Sequence, residues 1–285
     1  LNESVRHFGL PTSAQTYEGS FGSQRGRSVM QVASLRAIPP GEAAPEGAYR
    51  GITVGSTHSI AGVEAYTTYS GIGFTTHDEA LCLRFDGTTC PGAWRRLWRP
   101  PAGTDTGPPL ADLLRADTVV VQRSLVDTVD ETPPEGWQID EVDDNVVVWS
   151  RVDPLPHADS RLSGTTGPVA VDAADAAGPH REEIRLRRTG EGAAELTFAR
   201  LAWPGYTATL DGRPLVVGGG PAGLLRVEIP ADAAGDVLVV TWSPPYWRPS
   251  LLLVALAVLV TAITQLAWSR RRTPDVTAPE QPPRP

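Results

Sequence analysis

The chain has 285 residues, which leaves room for two domains of ordinary size. It carries 33 acidic side chains against 25 arginines and no lysine, a net charge of -8. Phosphate backbones require concentrated positive charge, so this composition excludes nucleic acid as the expected partner. The first residue is Leu1 and the single methionine is Met30, so the chain reads as the C-terminal part of a longer polypeptide.

Residues 1–27 are polar and rich in Gly, Ser, Gln and Thr, and read as a loop leaving an upstream membrane segment. A mixed α/β domain is expected over residues 28–152. Within it, residues 28–38 (SVMQVASLRAI) are expected as a short helix, 39–47 as a Pro/Gly/Ala linker and 49–54 as a strand. Residues 58–74 are apolar with many small side chains, and read as a helix or loop packed on the domain. Neither His58, near Ser56 and Ser59, nor the run His77-Asp78-Glu79 makes a convincing centre. A hydrolytic triad needs an oxyanion hole and a nucleophile elbow, and adjacent residues seldom point at one metal ion.

Cys82 and Cys90 flank the turn signal Asp86-Gly87 in CLRFDGTTC. That spacing suits a hairpin closed by a disulfide in an oxidising compartment, with two free thiols as the alternative. Residues 91–109 are Pro- and Gly-rich around Ala93-Trp94-Arg95-Arg96-Leu97-Trp98-Arg99. If this segment is helical, Trp94 and Trp98 share a face and Arg95, Arg96 and Arg99 lie on the other sides. One reading is a surface helix packed on its own domain. Another is a membrane-surface anchor with rings among the headgroups and arginines on lipid phosphate. Residues 109–114 suit a short helix and 117–121 a buried strand, and 136–142 pair with 146–149 across Asp144-Asn145.

Residues 153–168 are turn-rich and read as a linker. An all-β antiparallel sandwich is expected over 169–248, with strands at 183–187, 194–201, 206–210, 224–229 and 237–242. Asp211-Gly212 is the best hairpin turn, because both residues tolerate positive φ. Gly218-Gly219-Gly220 reads as a hairpin tip. Residues 250–268 (SLLLVALAVLVTAITQLAW) are uncharged and apolar. At about 1.5 Å per residue they reach roughly 28 Å, close to the ~30 Å hydrocarbon core of a bilayer. A transmembrane helix is therefore expected over 249–269, after a stiff entry made by Pro244, Pro245 and Pro249. Trp242, Tyr246, Trp247 and Trp268 form the aromatic belts, and Arg270, Arg271 and Arg272 mark the cytoplasmic side. Residues 1–248 are then extracytoplasmic at the cell membrane, and 270–285 form a disordered cytoplasmic tail. The fold class so read is an α+β ectodomain, an all-β antiparallel sandwich and one C-terminal transmembrane helix.

Three segments between Leu110 and Pro249 carry a resemblance. They are LLRADTVVVQ (113–122) leading through residues 133–158 to Asp153-Pro154-Leu155-Pro156, LAWPGYTATLDGRPL (201–215), and residues 223–247 before the final apolar run. Together they resemble the C-terminal ectodomain of the YfhO-type family of bacterial membrane proteins, related to C-type glycosyltransferases that use lipid-linked sugar donors. The resemblance covers roughly half the chain, and the first hundred residues match less well. It implies a cell-envelope glycosyltransferase in which this part is accessory, with no cofactor. Such transferases carry their acidic residue in an early outer loop, so no position here inherits a catalytic role. The implied partners are the lipid bilayer, a polyprenyl-phosphate sugar and an envelope glycan. Under the same resemblance the Trp94–Arg99 segment is a possible donor contact, and Trp203 and Tyr206 are either a structural corner or a platform for a sugar ring. The alternative function is a non-enzymatic, membrane-anchored binding or scaffolding ectodomain.

Overall fold

The structure, a computed structural model, describes residues 24, 27–34, 51–53, 58, 62–67, 73–104, 107–126, 129, 132–142 and 144–271. The expected loop over 1–27 (apart from Gln24 and Arg27), the linker over 39–47 and the tail over 272–285 lie outside them. Contacts divide the chain into two units, Leu1–Trp242 and Ser243–Pro285. The described residues are mostly β, in two sheets, followed by one long apolar helix.

The first sheet contains β1 (Ser28–Val32), β2 (Glu64–Ala65), β3 (Thr118–Gln122), β4 (Trp137–Val142) and β5 (Val146–Arg151), in the order β2-β1-β3-β5-β4. β1 runs parallel to β2 and β3, whereas β5 is antiparallel to both β3 and β4. The helix expected at residues 28–38 is thus corrected over its first half to a strand. All five residues of β1 are buried, and a parallel strand covered on both faces shows no polar alternation. Its one polar interior residue, Gln31, is satisfied by an amide clasp. Gln31 Nε2 donates to the Thr53 carbonyl at 2.9 Å, and Thr53 N–H donates to Gln31 Oε1 at 2.8 Å. That side chain does the work of a strand neighbour, so Gly51 to Thr53 run alongside without being the strand expected at 49–54. β2 likewise falls inside the span expected as helix or loop.

Among the described residues three short helices pack on this sheet: α1 (Thr75–Leu81), α2 (Gly92–Leu97) and α3 (Leu110–Leu113). α1 was not anticipated. His77 and Leu81, four apart, are its buried face. The core beneath the helices gathers Met30, Leu81, Trp94, Leu97, Leu110, Leu114, Val121 and Trp149, and extends to Leu224 of the second sheet and Ala222 in the turn before it.

The second sheet is antiparallel and has eight strands. They are β6 (Leu162–Thr166), β7 (Val169–Gly178), β8 (Arg181–Arg188), β9 (Ala194–Leu201), β10 (Tyr206–Leu210), β11 (Arg213–Gly219), β12 (Leu224–Ile229) and β13 (Val237–Trp242). Their order is β6-β9-β12-β11-β10-β13-β8-β7. In place of two separate sandwich sheets there is one sheet curled nearly shut, its inward residues forming a second core around Ile184, Leu196, Phe198, Val227, Ile229 and Leu238. The two edge strands, β6 and β7, are joined directly by Gly167-Pro168. β6 lies in the segment expected as a linker, held by pairing with β9 across a bulge between Leu162 and Gly164. Gly218 and Gly219 belong to β11, paired with Arg226 and Leu225, so the hairpin tip sits one step later. Asp211 and Gly212 do make the two-residue turn between β10 and β11, with φ of 45° and 81°.

The two sheets are tied by polar contacts, one of them buried. The Arg115 guanidinium donates to the Leu162 carbonyl at 2.6 Å and the His157 carbonyl at 2.9 Å. Arg161 pairs with Glu64 of β2.

The second unit contains α4 (Trp247–Arg271). Residues Trp247–Trp268 are long and apolar enough to cross a membrane, and none of that span is buried. α4 starts two residues before the expected boundary. Pro249 is accommodated because it falls in the first turn, where its missing N–H has no helical partner to lose.

Candidate functional site

Chemistry-bearing side chains converge where α1 faces α2. The roll of α2 is set by its tryptophans. The Trp94 ring meets Trp149 edge-on at 4.5 Å and Trp98 at 5.0 Å. Trp98 stacks on Trp149 at 5.6 Å and meets Trp137 edge-on at 5.1 Å. The Arg151 guanidinium closes this cluster, 4.5 Å from the centre of the Trp137 ring. Trp94 is only 6% exposed, so the rings serve the core, where aromatic pairs add to area burial. The helix packs on its own domain, with Trp94 buried and Trp98 half-buried.

With the tryptophans inward, Arg95, Arg96 and Arg99 are turned outward and exposed. They line a groove of about 790 Å³ together with Glu79 of α1, the Pro100-Pro101 corner, Leu110 and Ala222. The Arg96 guanidinium donates to the Glu79 and Ala80 carbonyls, which caps the last turn of α1 and places positive charge at its negative end. Among the described residues no carboxylate forms an ion pair with Arg95, Arg96 or Arg99.

The groove has a fixed frame. Cys82 follows α1 directly, Cys90 precedes α2, and the two are disulfide-bonded with Cα atoms 5.7 Å apart. Between them Leu83 bridges Thr89, and Asp86 Oδ1 accepts from the Thr88 N–H at 3.1 Å and the Thr88 hydroxyl at 2.6 Å. The expected disulfide-closed hairpin is therefore present, and it links the two helical walls. On its inner side α1 rests on the turn Pro221–Gly223. Gly223 has φ +73°, and a Cβ there would come within 2.7 Å of the Phe74 ring.

His77 is buried beside that turn, and burial holds its pKa below the ordinary 6.5 despite the opposing influence of the Ala222 backbone and Asp78. Its neighbour Glu79 faces the groove, so the consecutive His77-Asp78-Glu79 do not converge. Among the described residues no three His, Cys, Asp or Glu side chains are placed to share a metal ion. Ser56 and Ser59, beside His58, lie outside the described residues.

Trp203 and Tyr206 are not brought together as one ring platform. Trp203 packs edge-on against Phe74 at 5.0 Å, whereas Tyr206 lies 6.4 Å from Trp242 on the neighbouring strand. The Trp242 indole donates to the Pro204 carbonyl at 3.1 Å and closes the corner. Sequence reasoning missed Glu79 and Ala222 as groove residues, because nothing local announces α1 or its partner turn. It also missed Glu182, a buried carboxylate on β8. The alternation in Arg181–Arg188 held that signal, since Glu182, Ile184 and Leu186 fall on one face. No protein-family model, curated protein or solved structure matches this chain, so the YfhO-type resemblance rests on its residue patterns alone.

Proposed function

We propose that this chain is the extracytoplasmic, membrane-anchored part of a cell-envelope membrane protein. In this reading it is accessory to sugar transfer from a lipid-linked donor, and residues 1–248 face outward. The observation that carries it is the apolar stretch Trp247–Trp268, unburied along its length, with tryptophan at both ends. The Cys82–Cys90 disulfide supports an oxidising compartment for the first unit. The segments at 113–158, 201–215 and 223–247 support the YfhO-type assignment and, through it, the transferase context. Catalysis is given to no residue of this chain, and the envelope glycan is the acceptor it would help present.

A second reading is an anchored binding module without any transferase partner, favoured by the basic groove between α1 and α2. Full-length protein reconstituted in proteoliposomes with radiolabelled polyprenyl-phosphate sugars separates the two. Incorporation of label into an envelope glycan is the result expected for the accessory role. Lack of incorporation across several donors would transfer the function to the binding module.

A further inference from the structure

We propose that the groove between α1 and α2 is a binding site for a phosphate ester, gripped by Arg95 and Arg99 with Arg96 beside them. The inference concerns the groove alone and stands whichever side of a membrane the first unit faces. The chain as a whole is acidic at -8. The groove inverts that sign, because three arginines against the single carboxylate of Glu79 leave a surplus of two positive charges. Arg95, on α2, and Arg99, just past its C-cap Trp98, line the same groove, where their like charges repel. Among the described residues no acidic partner relieves them, and an anion in the groove does.

The ligand chemistry follows from shape and charge. Guanidinium groups are planar forks that donate paired hydrogen bonds to phosphate oxygens, and they keep their charge at any ordinary pH. A phosphomonoester carries about -1.5 to -2 at neutral pH, which matches the surplus in the groove. The volume of about 790 Å³ holds a small organic ligand and exceeds what a bare ion needs. Pro100, Pro101, Leu110 and Ala222 offer an apolar wall for the body attached to the phosphate. The frame is rigid: the disulfide links the helices, the four-tryptophan cluster fixes the roll of α2, and the Arg96 bonds hold the end of α1.

The test is calorimetric titration of the full chain, in phosphatidylcholine nanodiscs, with inorganic pyrophosphate as the probe. Arg95→Gln with Arg99→Gln removes the two unengaged arginines and leaves the α1 cap in place. Arg187→Gln with Arg213→Gln, on exposed strand positions of the second sheet, removes the same charge elsewhere. Saturable binding is expected, weakened at least about tenfold by R95Q/R99Q and unchanged by R187Q/R213Q. Absence of saturable binding up to millimolar probe, or equal weakening by both double variants at an unchanged melting temperature, would overturn the proposal. Stronger binding of citrate than of pyrophosphate would also overturn it, in favour of a carboxylate ligand. Repeating the titration in phosphatidylglycerol nanodiscs identifies the source of the phosphate. A lipid headgroup in the groove weakens pyrophosphate binding to the wild type and leaves R95Q/R99Q unaffected, whereas a soluble ester leaves the ratio of the two unchanged.

Discussion

Glu182 on β8 anchors a buried ion pair in the second sheet. Its carboxylate is 2% exposed and accepts from four donors. These are the Ser160 hydroxyl at 2.8 Å, the Arg161 N–H at 3.1 Å, and Arg200 Nε and Nη2 at 3.1 and 2.9 Å. Arg200 is itself only 20% exposed on its side chain. Glu182→Met fills similar volume but strands the guanidinium and the two other donors. Breaking a buried pair by removing one partner costs about 3–5 kcal/mol. At about 2–4 °C per kcal/mol for a unit of this size, the melting temperature should fall by about 6–20 °C. Circular-dichroism melts of the detergent-solubilised chain measure this. Glu182→Met combined with Arg200→Met removes both charges and should recover at least about 1 kcal/mol of the loss, since an apolar replacement of a whole pair is often near neutral. A single variant that loses under about 1 kcal/mol, or a double variant no better than the single, would refute the reasoning.

Three further outcomes are expected. Cys82 and Cys90 close a loop eight positions apart. Chain entropy then gives about 2.6 kcal/mol, so reduction or Cys82→Ser with Cys90→Ser should lower the melting temperature by about 5–10 °C. Burial keeps His77 neutral in the folded state, while the unfolded chain takes up a proton below about 6.5. Its contribution is therefore complete above that pH and shrinks as pH falls, by at most about 1.4 kcal/mol per pH unit. His77→Gln should flatten the dependence of melting temperature on pH between neutral and mildly acidic buffer; a slope equal to the wild type would contradict this. Gly223→Ala places a methyl group within 2.7 Å of the Phe74 ring at φ +73° and should loosen α1 from its turn, read as faster amide exchange at His77 and Leu81 than in the wild type.

What the sequence disclosed followed the range of the forces involved. The apolar helix was legible because a stretch long and apolar enough to cross a membrane is one unbroken run. β8, β9, β12 and β13 were legible because one face is inward and one outward, which imposes alternation. The Asp211-Gly212 turn was legible because its two positive φ angles restrict the residues allowed. β1 was not, because a strand buried on both sides loses its alternation and its partner β3 lies far along the chain. β7 (VAVDAADAAG) is rich in alanine, a weak strand former, and is specified by its pairing with β8. β6 (LSGTT) is similarly weak and is held by β9. At the groove the motif itself was visible, with Trp94, Arg95, Arg96, Trp98 and Arg99 singled out. Its orientation was not, since Trp137 and Trp149, which draw the rings inward, belong to distant strands.

The anchored, outward-facing orientation has one direct measurement: protease accessibility in intact cells of two reporters, one fused after Pro285 and one inserted in the exposed turn Asp211-Gly212. The C-terminal reporter should survive and the inserted one should be cut. Digestion of the reporter after Pro285, with the inserted one intact, would contradict the orientation, and recovery of the chain in the supernatant after ultracentrifugation would contradict the anchor itself.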